Sequence, residues 1–145
     1  MKTLFNVQHN PLNIDVAVLI LRISMAALML AHGLPKFLSL FSGEPVQFPA
    51  LIGTPELSLA LAVFAEVLCS ILILFGLGTR IATLPLIITM LVAVLLIHGA
   101  DPFSKKEMGL HYLIGYVVLL ITGSGKFSID HLLNKKQPAI AYSSK

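Results

Sequence analysis

Six residues able to bind a ligand or move a proton lie in or beside the apolar runs of this chain: His32, Lys36, Glu66, His98, His111 and Tyr112. Arg22 joins them in the first run and Glu107 opens the last. A charged side chain at membrane depth costs about 2.5–3.5 kcal/mol on insertion scales, so such groups are expected to be paired or functional. Imidazole and carboxylate groups exchange protons near neutral pH once their surroundings shift them. A quinone headgroup needs hydrogen-bonding or proton-relay groups on opposite sides of an apolar slot, and His with Glu would supply them. A haem needs two histidines at equal depth on different spans. His32 with His98 or His111 meets that depth test, but the spacing specifies neither a haem nor a copper or zinc site. Quinone is the expected ligand class, and no haem or metal site is expected.

The elements that position these residues must be membrane helices. The chain has 145 residues, 57% of them hydrophobic and only 12% charged, and a mean hydropathy of +0.90. That is too little polar surface to cover a water-soluble domain. Four runs approach the roughly 20 residues needed to cross the hydrocarbon core: residues 15–37, 55–75, 80–99 and 107–123. Backbone polar groups must be satisfied within each segment in lipid, so the runs are read as helices. The expected fold is all-α, a single domain forming an integral membrane four-helix bundle. In "GTPEL", Pro55 and Glu56 mark a helix start, and "FGLGTR" breaks the chain after the second run. Pro85 implies a kink or a late helix start. The first loop, with Phe41, Val46, Phe48, Leu51 and Ile52, is read either as a surface cover or as a segment dipping into headgroups. Residues 126–145 are expected to be an interfacial helix begun by Ser128, followed by a disordered tail.

Positive charge sets the expected direction. Lys2, Arg80, Lys126, Lys135, Lys136 and Lys145 fall on one side; Lys36, Lys105 and Lys106 fall on the other. Both termini are therefore expected in the cytoplasm, in a multi-pass protein of the inner (cytoplasmic) membrane. The sequence pI of about 9.2 does not imply a nucleic-acid partner, because the basic residues sit in short loops and the tail. They suit anionic lipid headgroups instead. A secretory signal is not expected. The lone Cys69 excludes an intrachain disulfide and dithiol chemistry. No phosphate loop, nucleophile elbow or dinucleotide fingerprint is present.

Depth then sorts the polar residues. At about 100° per residue, Arg22, Met25, Met29, Gly33 and Lys36 share one helix face, with His32 at its edge. Ser58, Ala62, Glu66 and either Cys69 or Ser70 form a small, polar packing stripe. His32, Lys36, His98, Glu107, His111 and Tyr112 gather in the outer half of the bundle with Glu66 below them. Of these, His32, Lys36, Glu66, His98, His111 and Tyr112 are expected to line one ligand pocket. Arg22 and Glu66 are expected to form a structural ion pair. Each residue also has a simpler reading: Lys36 snorkels, His98 and His111 sit at helix ends, Tyr112 belongs to an aromatic belt and Cys69 packs.

Three segments together resemble the DoxX family of small four-helix membrane proteins. They are "LRISMAALMLAHGLPKF", with Arg22, His32, Gly33 and Lys36; "FAEVLCSILILFGLGTR", with Ala65, Glu66, Gly76, Thr79 and Arg80; and "ITGSGKFSID", with Gly123, Gly125, Ser128 and Asp130. The resemblance covers about residues 15–132. Cys69 and Ser70 depart from it, standing where relatives usually have a glycine pair. The family takes its name from a subunit of a thiosulfate:quinone oxidoreductase, which implies quinone-linked electron transfer. Other members are membrane partners of redox enzymes, and distant animal relatives are assembly chaperones. The expectation is a quinone-interacting membrane subunit that passes electrons or protons for a redox partner protein and is not a complete enzyme alone. The alternative is a non-catalytic scaffold or assembly chaperone. A homodimer is compatible with so small a bundle. A transporter is disfavoured, since four short spans without clear helix breaks leave little room for alternating access.

Overall fold

A computed structural model describes residues 10–135. Helix α1 runs Pro11–Leu40, α2 Pro55–Phe75, α3 Thr79–Ile97, α4 Phe103–Thr122 and the short α5 Ile129–Lys135. The caps explain the boundaries. Asn10 accepts a hydrogen bond from Leu12 N at 3.0 Å ahead of Pro11. Thr54 does the same for Leu57 N at 3.3 Å ahead of Pro55. In both, a proline occupies the first turn, where its missing N–H costs nothing. Helix α2 stops at Gly76, which adopts φ +67° while Leu77 N bonds back to Leu72 O at 2.9 Å.

Close contacts fix an up-down-up-down order. Gly33 faces Glu66 and Val67, Gly76 faces Arg22, Gly115 faces Met25, and Gly109 faces Val94. The core between the helices holds Met25, Ala26, Met29, Ile73, Leu86, Tyr116 and Leu119. The outside is apolar as well: Ile20, Leu38, Ile81, Ile88, Leu96, Ile114 and Ile121 are all at least 60% exposed. Apolar residues on every face of a helix are the mark of a lipid-facing bundle. Helices α1, α2 and α3 are long and apolar enough to cross a membrane. Helix α4 has 20 residues but opens with Lys105, Lys106 and Glu107, so its apolar part is shorter.

Helix α1 is longer at both ends than residues 15–37, and it carries Pro35 without stopping. Pro85 likewise lies inside a helix rather than at its start. Two segments widen to π-helix, Phe64–Cys69 in α2 and Ala93–Ile97 in α3. The first loop has no regular structure and is pinned by the buried Ser58 hydroxyl, which accepts from Leu51 N at 3.1 Å and Ile52 N at 3.0 Å. Helix α5 exposes Leu132 and Leu133, as an interfacial helix would. Residues 136–145, read from sequence as a disordered tail, lie outside the described residues, as do residues 1–9.

Candidate functional site

The Ser58–Ala62–Glu66 stripe and both Cys69 and Ser70 are buried, which places Glu66 on the inner face of α2. Its Oε1 accepts from Lys36 Nζ at 2.5 Å. The Glu66 side chain is 3% exposed and that of Lys36 is 35% exposed. Gly33 makes this pairing possible. A Cβ there would lie 2.9–3.1 Å from Val67 and Glu66 atoms, so only glycine lets α1 and α2 approach at this level. Phe48 of the first loop caps the pair, with Lys36 Nζ 6.0 Å from its ring centroid, at the edge of cation–π range.

The expected Arg22–Glu66 ion pair does not form. Arg22 Nη1 donates to Ser124 O, and Nη2 donates to Phe127 O at 2.7 Å. The reason is register. Glu66 faces Gly33 while Arg22 faces Gly76. Eleven residues of α1 separate those levels, about 16 Å at 1.5 Å per residue. The depth estimate failed because it set the ends of the two runs level, whereas Arg22 lies opposite Gly76 at the end of α2 and α1 runs on from there to Pro11.

Arg22 belongs instead to a polar knot at the end of the bundle that holds both ends of the described chain. Asp130 accepts from Gly78 N at 2.8 Å, and Asp130 N donates to Gly76 O at 3.0 Å. Asp15 accepts from Lys126 N at 3.1 Å. Arg80 donates to Ile121 O at 3.2 Å. The hydroxyl of Ser128 donates to Gly125 O at 2.6 Å and caps α5 by accepting from His131 N at 3.2 Å. The polar motif residues of "GLGTR" and "GSGKFSID" are thus used to tie four chain segments together.

A groove of about 520 Å³ opens between α1 and α4 near the other end. Met25, Leu28 and His32 form one wall; Ser104, Glu107, Met108, His111 and Tyr112 form the other. Its size is that of a small-molecule site, apolar with a few convergent polar groups. His32 stands edge-on to Tyr112, ring centroids 5.8 Å apart. His111 Nδ1 lies 2.8 Å from Glu107 O. A carbonyl only accepts, so Nδ1 donates and Nε2 is left free for a ligand.

The groove therefore brings together His32, His111 and Tyr112 from the six expected residues. It does not include Lys36, Glu66 or His98. Lys36 and Glu66 satisfy each other between α1 and α2, and His98 Nδ1 pairs with Asp101 Oδ2 at 2.7 Å in the turn after α3. Ser104, Glu107 and Met108 were not assigned to the site from sequence. Their spacing from His111 at three, four and seven residues puts all four on one face of α4, and that signal could have found them. No group of three or more potential metal ligands occurs among the described residues.

Comparison with known proteins now bears on the chain. The DoxX family profile matches residues 17–99. This chain belongs to the DoxX family. Among its relatives, the inner membrane protein YqjF of Escherichia coli strain K12 is 34% identical, over 84% of this chain and 95% of its own length. The uncharacterized membrane protein Rv3486 of Mycobacterium tuberculosis is 30% identical over 85% of each chain. CatD of Bacillus subtilis, provisionally named an oxidoreductase, is 27% identical over 83% of this chain and 90% of its own. No solved structure matches at a significant level. This DoxX protein is thus a membrane protein with several candidate spans. The family match includes Arg22, His32, Gly33, Lys36 and Glu66, and it ends before the α4 wall of the groove.

Proposed function

We propose that this DoxX protein is a quinone-interacting membrane subunit that passes electrons or protons for a partner redox enzyme. It would cross the inner membrane four times with both termini in the cytoplasm. The observation that carries this reading is the α1–α4 groove, where two imidazoles on opposite walls face a mostly apolar space that also carries Ser104, Glu107 and Tyr112. The residues suit a quinone headgroup. His32 and His111 supply hydrogen-bonding nitrogens from two helices, Glu107 and Ser104 add a carboxylate and a hydroxyl, and Met25, Leu28 and Met108 supply apolar contact. A quinone accepts two electrons and two protons on reduction. The electrons would come from the partner. His111 can hold or release a proton at Nε2 while its Nδ1 stays committed to Glu107 O. Tyr112 fixes the His32 ring edge-on. The oxidoreductase name of CatD supports the redox class, and the inner-membrane name of YqjF supports the location.

The test is binding of a short-chain quinone to the purified protein, followed by quenching of tyrosine fluorescence. His32→Ala and His111→Ala should each weaken binding roughly 2- to 12-fold, the value of one net hydrogen bond, with unfolding midpoints unchanged. Lys36→Ala and His98→Ala should leave affinity unaltered. Quinone binding that ignores both groove histidines would refute the site. A scaffold or assembly-chaperone role is the second reading. The polar knot around Arg22 favours it, because these motif residues serve packing. On that reading no variant changes quinone binding, because none is bound.

A further inference from the structure

A second groove, of about 370 Å³, lies at the Arg22 end of the bundle and is lined by Phe75, Lys126, Phe127, Ser128, Ile129 and Leu132. Two contacts set its walls. Asp130 N donates to Gly76 O at 3.0 Å, and a Cβ on Gly76 would stand 2.6 Å from Ser128 Cβ. The end of α2 and the start of α5 are therefore held against each other. The segment between is fixed from inside, where Phe127 O accepts from the buried Arg22 Nη2 at 2.7 Å. The side chains of Phe75, Phe127 and Leu132 stay exposed, so the groove is apolar and open to the side. One cation stands at its edge. The Lys126 side chain is more than half exposed, and its Nζ lies 3.5 Å from Asp15 Oδ2, a long ion pair of little worth. The surrounding charge is positive. Among the described residues, this end carries Arg22, Arg80, Lys126 and Lys135 against Asp15 and Asp130. The other end carries Lys36, Lys105 and Lys106 against Glu44, Glu56, Glu66, Asp101 and Glu107.

We propose that this groove is a site for an anionic phospholipid, with one acyl chain lying along Phe75, Phe127 and Leu132 and the headgroup phosphate held by Lys126. The two halves of the ligand match the two parts of the site. An acyl chain needs an apolar surface that it can enter sideways from the bilayer. A phosphate needs a cation where that surface meets the headgroups. The ammonium of Lys126 is a compact charge with three donors, and its stem can lie along apolar surface while its head reaches the interface. Leu133 is exposed beside Leu132 on α5, which suits a helix lying at that same level. The excess of basic residues at this end selects an anionic headgroup over a zwitterionic one. Occupancy also bears on the fold, because the segment that walls the groove supplies the backbone oxygens of Ser124 and Phe127 that hold Arg22. A lipid that binds the formed groove and not the unfolded chain favours the folded bundle by mass action. The site shares no lining residue with the α1–α4 groove, so it stands whether or not that groove takes a quinone.

The chain has no tryptophan, so Phe75→Trp places a single fluorescent reporter in the groove, and Leu132→Trp gives a second on the opposite wall. The full-length variants are reconstituted in vesicles of phosphatidylcholine and phosphatidylglycerol, with one lipid or the other brominated on its acyl chains to quench on contact. Phosphatidylglycerol should be preferred at the reporter about 5-fold, the worth of one lysine near an anionic surface. Lys126→Gln should remove that preference and Lys126→Arg should keep it. Lys105→Gln, at the other end of the bundle, should leave it unchanged. In detergent, added phosphatidylglycerol should raise the unfolding midpoint of the parent but not that of Lys126→Gln. Equal quenching by the two lipids would mean ordinary boundary lipid and overturn the proposal. A preference that survives Lys126→Gln would put the phosphate elsewhere and overturn it too. So would the absence of quenching by either lipid, which would mean that protein covers the groove.

Discussion

The Lys36–Glu66 pair is asymmetric, and its asymmetry fixes the sign of a mutational experiment. Glu66 is buried at 3% side-chain exposure while Lys36 keeps 35%. Removing the lysine, as in Lys36→Met, strands a carboxylate in the bundle. Breaking a fully buried pair costs about 3–5 kcal/mol, and the partial exposure of Lys36 argues for the lower end, about 3 kcal/mol. Removing the acid, as in Glu66→Gln, leaves an ammonium that can turn outward to water or headgroups. That loss should be nearer the value of a surface pair, about 1 kcal/mol. The double variant Lys36→Met/Glu66→Gln should therefore be more stable than Lys36→Met alone. Equilibrium unfolding in mixed detergent micelles, followed by far-UV circular dichroism, gives all three values. A Glu66→Gln variant that loses as much as Lys36→Met would refute the reasoning, because it would place the uncompensated cost on the exposed partner.

Other expectations follow from the same contacts. Arg22→Leu should destabilise by about 3 kcal/mol, since two charge-assisted bonds to Ser124 O and Phe127 O are lost; combined with Glu66→Leu the effects should add within about 0.5 kcal/mol, because the levels are about 16 Å apart. Gly76→Ala should cost at least about 2 kcal/mol in the same assay, because φ is +67° and the new Cβ would stand 2.6 Å from Arg22 Nη1 and from Ser128 Cβ. Cysteine labelling of sealed vesicles in a Cys69→Ser background should find sites at Lys126 and Lys135 on the cytoplasmic side and one at Glu44 on the other; a label at Lys126 from outside would invert the proposed topology.

Much of the architecture was legible because it depends on composition and period alone. Long apolar runs mark helices in lipid, and the Pro55 start and Gly76 stop are local chemistry, so α2 matches residues 55–75 at both ends. The inward stripe of Ser58, Ala62 and Glu66 follows from helical spacing. What was not legible depends on register between helices. Nothing in the apolar run from Asp15 to Phe37 says how α1 is offset along α2: Arg22 lies opposite Gly76, so α1 runs on to Pro11 past the end of α2. An expectation that sets the ends of the runs level pairs Glu66 with Arg22 rather than with Lys36. The groove was half legible for the same reason: His32, His111 and Tyr112 share a level across one helix pair, whereas equal depth alone cannot say that His98 points into its own turn.

The two ends of the bundle also differ in the kind of partner that satisfies their polar groups, and that difference has functional weight; among the described residues Arg22 Nε and Thr79 Oγ1 stay open at one end as Glu66 Oε2 does towards the other. Around Arg22, the partners are backbone groups of the loops joining α2 to α3 and α4 to α5. Such partners cannot be exchanged without unmaking the fold. Towards the other end, Glu66 has one open oxygen, His111 leaves one ring nitrogen uncommitted, and Lys36 is a third exposed. Groups with spare hydrogen-bonding capacity are the ones that can take up a ligand, water or a proton at small structural cost. Substitutions around Arg22 should consequently register as lost stability with ligand binding unchanged per folded molecule. Those in the groove should register as changed binding at constant stability. A scan of both regions that found the same readout moved in each would show that the bundle does not separate holding from binding.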